Sequence, residues 1–250
     1  MHRPTRTLAP TLSLVALVAS GCAVDARTKA PVSTDLPSGV VPTYLESSYQ
    51  HSAMDAAPEI PGYALGDRSL PAAPISLDEL ELIWKSVLFS DEDIEHLRLS
   101  REVLAPHVEE LVGVWYGFVG ANPHLLASFS SDAGEVDAAY LERVRAGFER
   151  WVLDTAEADY DQDWLDYQFE IGRRHHRVGK NTTDNASATA HIQYRYVPAL
   201  MIPVTTTLRP FLERGGHDQA TVDKMHAAWV KSVQVQAILW SYPYVNNGDF

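Results

Sequence analysis

Two adjacent histidines, His175 and His176, are the residues of this chain best suited to hold a metal. Neutral imidazole is a good ligand for iron, copper or zinc. Neighbouring residues on a helix point about 100° apart, so the two rings cannot serve one face. His175 shares a face with Ile171 and Trp164, and His176 with Phe169 and Leu165, so periodicity leaves the choice between them open. The pair also has a purely structural reading, because histidines near a helix C-terminus interact favourably with the helix dipole when protonated. The only cysteine is Cys22, which excludes an intramolecular disulfide and cysteine-built zinc or iron–sulfur centres. Any metal must be held by His, Asp, Glu or Tyr.

Other chemistry is sparse. Asp159, Asp161, Asp163 and Asp166 lack the glycine and terminal glutamate that a calcium-binding EF-hand loop requires, and they suit a negatively charged helix start. His124 follows a proline-containing turn and reads as a locally packed residue. No serine nucleophile elbow, HExxH zinc motif, phosphate-binding loop or dinucleotide fingerprint occurs. The net charge of −13, with no basic stripe, argues against nucleic acid as a partner and disfavours adhesion to anionic headgroups.

The elements that must position the histidines are helices. Ser76-Leu77-Asp78-Glu79 is a capping-box pattern opening an amphipathic stretch to about Phe89, and Ser90 repeats the device for a second helix through Arg98. A third helix, from about Arg101 to Gly120, sets Leu104, Val108, Leu111, Trp115 and Phe118 on one face before Asn122-Pro123 breaks it. Further helices are predicted over about 136–155 and 159–177, with a polar loop over 180–188. A long helix from about Ala190 to Arg214 contains Pro203 and Pro210, which are expected to bend it or end it early. Asp218 then caps a last helix reaching about Trp240. No convincing strand alternation or internal repeat appears, so the fold class is all-α, with aromatics such as Trp115, Phe148 and Trp229 expected in its core.

The first residues are an address. Arg3 and Arg6 precede an apolar run from Leu8 to Val18, shorter than the roughly 20 residues that span a bilayer. The run ends in Ala19-Ser20-Gly21-Cys22, which resembles a bacterial lipobox, with Ala19 in place of the usual leucine. The expected organisation is a lipoprotein signal peptide over 1–21, a flexible tether over 22–59 rich in Ala, Pro, Ser, Thr and Asp, and a folded domain over 60–250. Acylation of Cys22 would hold the chain at a membrane, since each buried methylene contributes about 0.8 kcal/mol. Ala23 after the cysteine favours an extracytoplasmic place on the outer membrane, by resemblance to Gram-negative lipoproteins.

Several segments together carry a family resemblance. Ile60-Pro61-Gly62-Tyr63, Trp115-Tyr116-Gly117-Phe118-Val119-Gly120 and Trp151-Val152-Leu153-Asp154-Thr155 resemble protoglobin. So do Trp164 to Gln168, Ile171 to Arg177 and the stretch Leu239 to Phe250, all in the same order. The resemblance implies a globin fold with an additional N-terminal helix, matching Ser76 to Phe89, and a haem b whose iron is held by His175. It places Tyr116 opposite the iron as a hydrogen-bond donor to a bound diatomic ligand, with Trp115 and Phe148 packing on that side. Val144 stands where ordinary globins have a distal histidine, and Leu200 and Val204 complete the pocket.

The function implied is reversible binding of O₂, CO or NO for sensing, scavenging or detoxification, in a chain with no output module after the globin domain. The alternative is a haem enzyme acting on NO, nitrite or peroxide with an external reductant. A homodimer through the last helices is the implied assembly. The chain departs from the family at Leu200, commonly Phe, and at Ile202, commonly Tyr, both on the helix that walls the haem. A smaller Leu200 predicts a wider ligand channel, so Leu200→Phe should slow CO association in flash photolysis. An unchanged on-rate would remove that idea.

Overall fold

The computed structural model describes residues 60–246 and 248–250. The signal peptide, Cys22 and the tether expected over 1–59 lie outside the described residues. Within them the chain forms α1 (Leu77–Ser86), α2 (Asp91–Leu104), α3 (Val108–Gly120) and the single turn α4 (Pro123–Leu126). It continues through α5 (Ala138–Glu157), α6 (Gln162–His175), α7 (Tyr196–Leu212) and α8 (Gln219–Trp240). There is no strand among the described residues, only an isolated bridge between Ser130 and Val136.

Helix starts follow side-chain chemistry. The Ser76 hydroxyl accepts from the Glu79 N–H, and the Glu79 carboxylate accepts from the Ser76 N–H at 2.8 Å. Asp137, Asp161 and Asp218 accept from the third residue beyond them at the starts of α5, α6 and α8. At α2 it is Asp93 that closes the cap, accepting from both the N–H and the hydroxyl of Ser90 while pairing with Lys231 at 2.9 Å.

Three boundaries differ most from expectation, one being the start of α7, which is Tyr196 rather than about Ala190. The second helix runs to Leu104 rather than Arg98, and the third begins at Val108 rather than Arg101. Pro106 has no N–H with which to extend α2, and the chain crosses a 3₁₀ turn at Ala105–His107 instead. Conversely, Pro203 and Pro210 do not end α7, which runs unbroken to Leu212. Threonine hydroxyls add hydrogen bonds in this stretch, Thr205 Oγ1 to the Met201 carbonyl at 2.9 Å and Thr207 Oγ1 to the Pro203 carbonyl at 2.7 Å.

The core is organised on α8, which packs against α2, α6 and α7. Trp229 and Met225 of α8 are fully buried, together with Leu97, Leu104, Leu165, Leu208 and Leu212. Buried indole and amide groups around α8 are paired, as burial requires. Gln236 accepts from Trp151 Nε1 at 2.6 Å and donates to Thr155 and Ser232, while Trp229 Nε1 donates to Ser100 Oγ at 2.8 Å.

Gly172 sets how closely α6 lies on α8. A Cβ there would stand 2.8 Å from the Trp240 Cα and 3.0 Å from its carbonyl oxygen, both backbone atoms that cannot rotate aside. Gly172→Ala should therefore destabilise the domain by about 1–3 kcal/mol through overpacking. A lowered urea midpoint at constant slope would register this, and an unchanged midpoint would show that the helices can separate freely.

Candidate functional site

Helices α3, α5, α6 and α7 surround a cavity of about 280 Å³. Helix α6 rests on α8 with one side, so the other is left to form a cavity wall. The segment 127–129 and the short helix α4 close one end, and Pro61-Gly62-Tyr63 lies across another part of the lining. His175, Tyr116, Trp115, Phe148, Val144, Leu200 and Val204, the residues singled out from the sequence, all line it. His176 does not, and Ile202 is 71% exposed, turned away from the cavity that Leu200 faces. Trp229 belongs to the core as expected, whereas Trp115 and Phe148 are half-buried because one side of each meets the cavity. His124 packs against Tyr196, with ring centroids 5.5 Å apart.

His175 is the last residue of α6 and is held twice. Its Nδ1 is 2.8 Å from the Ile171 carbonyl oxygen, which can only accept, so Nδ1 carries the proton. The ring stacks on Trp240 at 5.3 Å and 15° between planes. The proton on Nδ1 leaves Nε2 with a lone pair, and it makes no hydrogen bond among the described residues. Shielding from bulk water lowers the His175 pKa, against the opposing effect of the Ile171 bond, so the ring is neutral at pH 7. A neutral imidazole with fixed tautomer and orientation is the form that ligates a metal.

The other walls are aromatic. Phe148 stacks on Trp151 at 5.1 Å and meets Trp115 and Tyr116 edge-on at 5.9 and 6.3 Å. Tyr116 also contacts Phe129 at 6.0 Å. Its hydroxyl has no hydrogen-bond partner among the described residues, and burial pushes its pKa well above the ordinary phenol value. It is therefore a protonated donor without an acceptor.

Charge enters at the margin of the lining, on Arg143 and Arg174. Arg143 Nε donates to Asp184 at 3.1 Å, and Arg174 donates to Glu170 at 3.0 Å and to the Gly62 carbonyl. Gly62 adopts φ +79°, and a Cβ there would come within 2.8 Å of Thr183 Cγ2, so only glycine fits this crossing. Tyr63 donates to the buried carboxylate of Asp154 at 2.8 Å and so fixes the crossing segment to α5.

Sequence reasoning did not pick out Trp240 as the support of His175, nor Arg143, Arg174 and Tyr63 as lining. These contacts join residues far apart in the chain, and no local spacing announces them. Lys180 was missed too. Its buried ammonium donates to the Ser128 carbonyl and Asn181 Oδ1, both at 3.0 Å, and lies over the Tyr140 ring at 5.1 Å, tying the loop after α6 to the cavity's end.

Among the described residues no group of three or more His, Cys, Asp or Glu side chains could hold a metal ion. The donor set instead fits a planar metal-bearing cofactor, with one neutral imidazole on one side, aromatic and aliphatic walls, and arginines at the margin. A helical fold built around such a cavity is that of the globins. The described domain is similar to the globin domain of a globin-coupled sensor from Geobacter sulfurreducens, with a TM-score of 0.51 and 18% identity over 66% of this chain and 97% of that one. The chain belongs to the Protoglobin family, whose model matches residues 76–250. No curated protein matches it in sequence. Membership of this family supports haem-based gas binding in general.

Burial lowers the Lys180 pKa from its ordinary value to about 8, against the opposing charge of Asp184. With the folded value below the unfolded one, the unfolded chain binds more protons between about pH 8 and 10.5, so this residue's contribution favours folding more as pH rises through that window. Urea midpoints at pH 7.5 and 9.5 should show a smaller alkaline gain, or a larger loss, in Lys180→Met than in the parent. Equal changes would mean that the ammonium is as well solvated in the fold as outside it.

Proposed function

We propose that this chain is a haem b protein that binds O₂, CO or NO reversibly at an iron held by His175, with the opposite coordination position open. The observation that carries the reading is the neutral, doubly held His175 ring, whose unpaired Nε2 belongs to a side chain lining the cavity. Haem would be held by His175, and its iron would supply the binding of a small ligand.

The chain's own residues do the rest. Ile171 fixes the tautomer of His175, and Trp240 fixes the plane of its ring. Trp115, Phe148, Val144, Leu200 and Val204 exclude water and make the space apolar, which strengthens any hydrogen bond formed inside it. Tyr116 offers its O–H to the partly negative outer atom of a diatomic ligand. Arg143 and Arg174, which are among the lining residues, are the cations that could pair with the carboxylates of a porphyrin.

Reversible binding is favoured over the alternative, a haem enzyme acting on NO, nitrite or peroxide. Nδ1–H of His175 meets a neutral carbonyl, whereas a carboxylate partner would make the imidazole a more electron-releasing ligand. The enzyme would also need an external reductant. The proposal includes a lipid on Cys22 that tethers the domain to the cell envelope outside the cytoplasm, as the lipobox-like sequence suggests. A homodimer through α7 and α8 suits the exposure of Ile202 and Val230.

The test is an absorption spectrum of the domain from residue 60 onward, ferric, then reduced, then with CO. A Soret band that shifts with CO and is lost or altered in His175→Ala is expected. Tyr116→Phe should keep the band and release O₂ about ten- to a hundredfold faster, as loss of a hydrogen bond of about 1.5–3 kcal/mol implies. Failure of the apo domain to take up added haemin would overturn the reading.

A further inference from the structure

Beside the cavity, and not lining it, two other histidines meet. His176 follows the last residue of α6, and His191 belongs to the loop before α7. Their ring centroids are 5.0 Å apart with planes at 87°. Tyr244 closes the group at 5.0 and 5.5 Å, with its hydroxyl donating to the Ile192 carbonyl. His176 Nδ1 receives only a long contact from the Val178 N–H at 3.4 Å, which leaves Nε2 available.

His191 adds a second observation. Its Nδ1 is buried and has no hydrogen-bond partner among the described residues. In native proteins such an atom calls for an explanation, of which a bound ion or water is the usual one. Both residues are half-buried.

The spacing suits a shared ion. Zinc–nitrogen bonds of about 2.0–2.1 Å place an ion about 3.2 Å from each ring centre, and a tetrahedral angle then sets the centres about 5 Å apart. Imidazole suits zinc, copper and nickel, with copper the tightest. Among the described residues no carboxylate joins the pair, so water would complete the coordination sphere.

The geometry points to a site for one divalent transition-metal ion, zinc or copper, held by His176 and His191 and separate from His175. The ion would fasten the end of α6 to the loop over 176–195. That loop carries Ile192, which lines the cavity and donates its N–H to the His175 carbonyl at 3.1 Å. Arg177 is the unfavourable neighbour, a cation close to both rings. The inference does not depend on haem.

Zinc chloride titrated calorimetrically into the untagged full chain tests it, with haem loaded where the chain takes it up and without haem otherwise. One zinc per chain is expected, with a raised melting temperature at saturation. His176→Asn and His191→Asn should each weaken binding at least tenfold, and Arg177→Gln should tighten it. Circular dichroism reports whether each variant folds, and His176→Asn alone decides the matter if His191→Asn does not. Absence of saturable binding, an unmoved melting temperature, or affinity retained in the folded histidine variants would overturn the site.

Discussion

Between Gly172 of α6 and Trp240 of α8 there is no room for a methyl group, and the cavity depends on that contact. Because the two backbones touch, the indole of Trp240 reaches the face of His175 one turn further along α6. Gln168, one turn earlier, takes the indole N–H at 2.9 Å, so the tryptophan is held from both directions. Helix α6 thus gives α8 its small residue and its hydrogen-bond acceptor, and gives the cavity its histidine. A looser crossing would leave the imidazole with its Ile171 bond alone, fixed in tautomer but free to swing.

The contrast between core and cavity is one of satisfaction. Around α8, buried indole and amide groups find partners, which specifies how α2, α5 and α8 fit together. Along the cavity wall, the Tyr116 hydroxyl and the His175 Nε2 do without. Unmet polar groups cost stability, and their persistence along a cavity wall is intelligible when a ligand completes them. Shielding from water also keeps the imidazole neutral and the phenol protonated, each the state its proposed role requires.

Much of this was legible in the chain itself. Ser76, Ser90 and Asp218 mark helix starts because a side-chain oxygen beside free N–H groups is a local matter. The all-helical class followed from apolar spacing, and the family from several short segments in a fixed order. The break between α2 and α3 was misplaced because the apolar rhythm continues across it while Pro106 interrupts the backbone. Pro203 and Pro210 misled in the opposite sense, since tertiary contacts along α7 outweigh the donors they remove. Periodicity could not choose between His175 and His176. Which of the two lines the cavity rests on Trp240 and on which side of α6 is left without a neighbouring helix, which are facts of packing. The pairing of His176 with His191 was invisible for the same reason, as the partner lies in a loop with no regular spacing.

The cavity lining runs from Pro61 to Trp240 and so draws on nearly the whole length of the domain. A chain made or exported from its N-terminus first presents the crossing segment and α3 long before α8 exists. Domains assemble as units during synthesis, at about 5–20 residues per second. For several seconds, then, the growing chain carries His175 without the tryptophan that steadies it, and aromatic walls with no opposite side. Capture of a large flat cofactor must wait for the final helix. Cofactor loading is thereby tied to completion of the polypeptide, and a chain broken off early would be left with sticky, unfilled surface for proteolysis to clear.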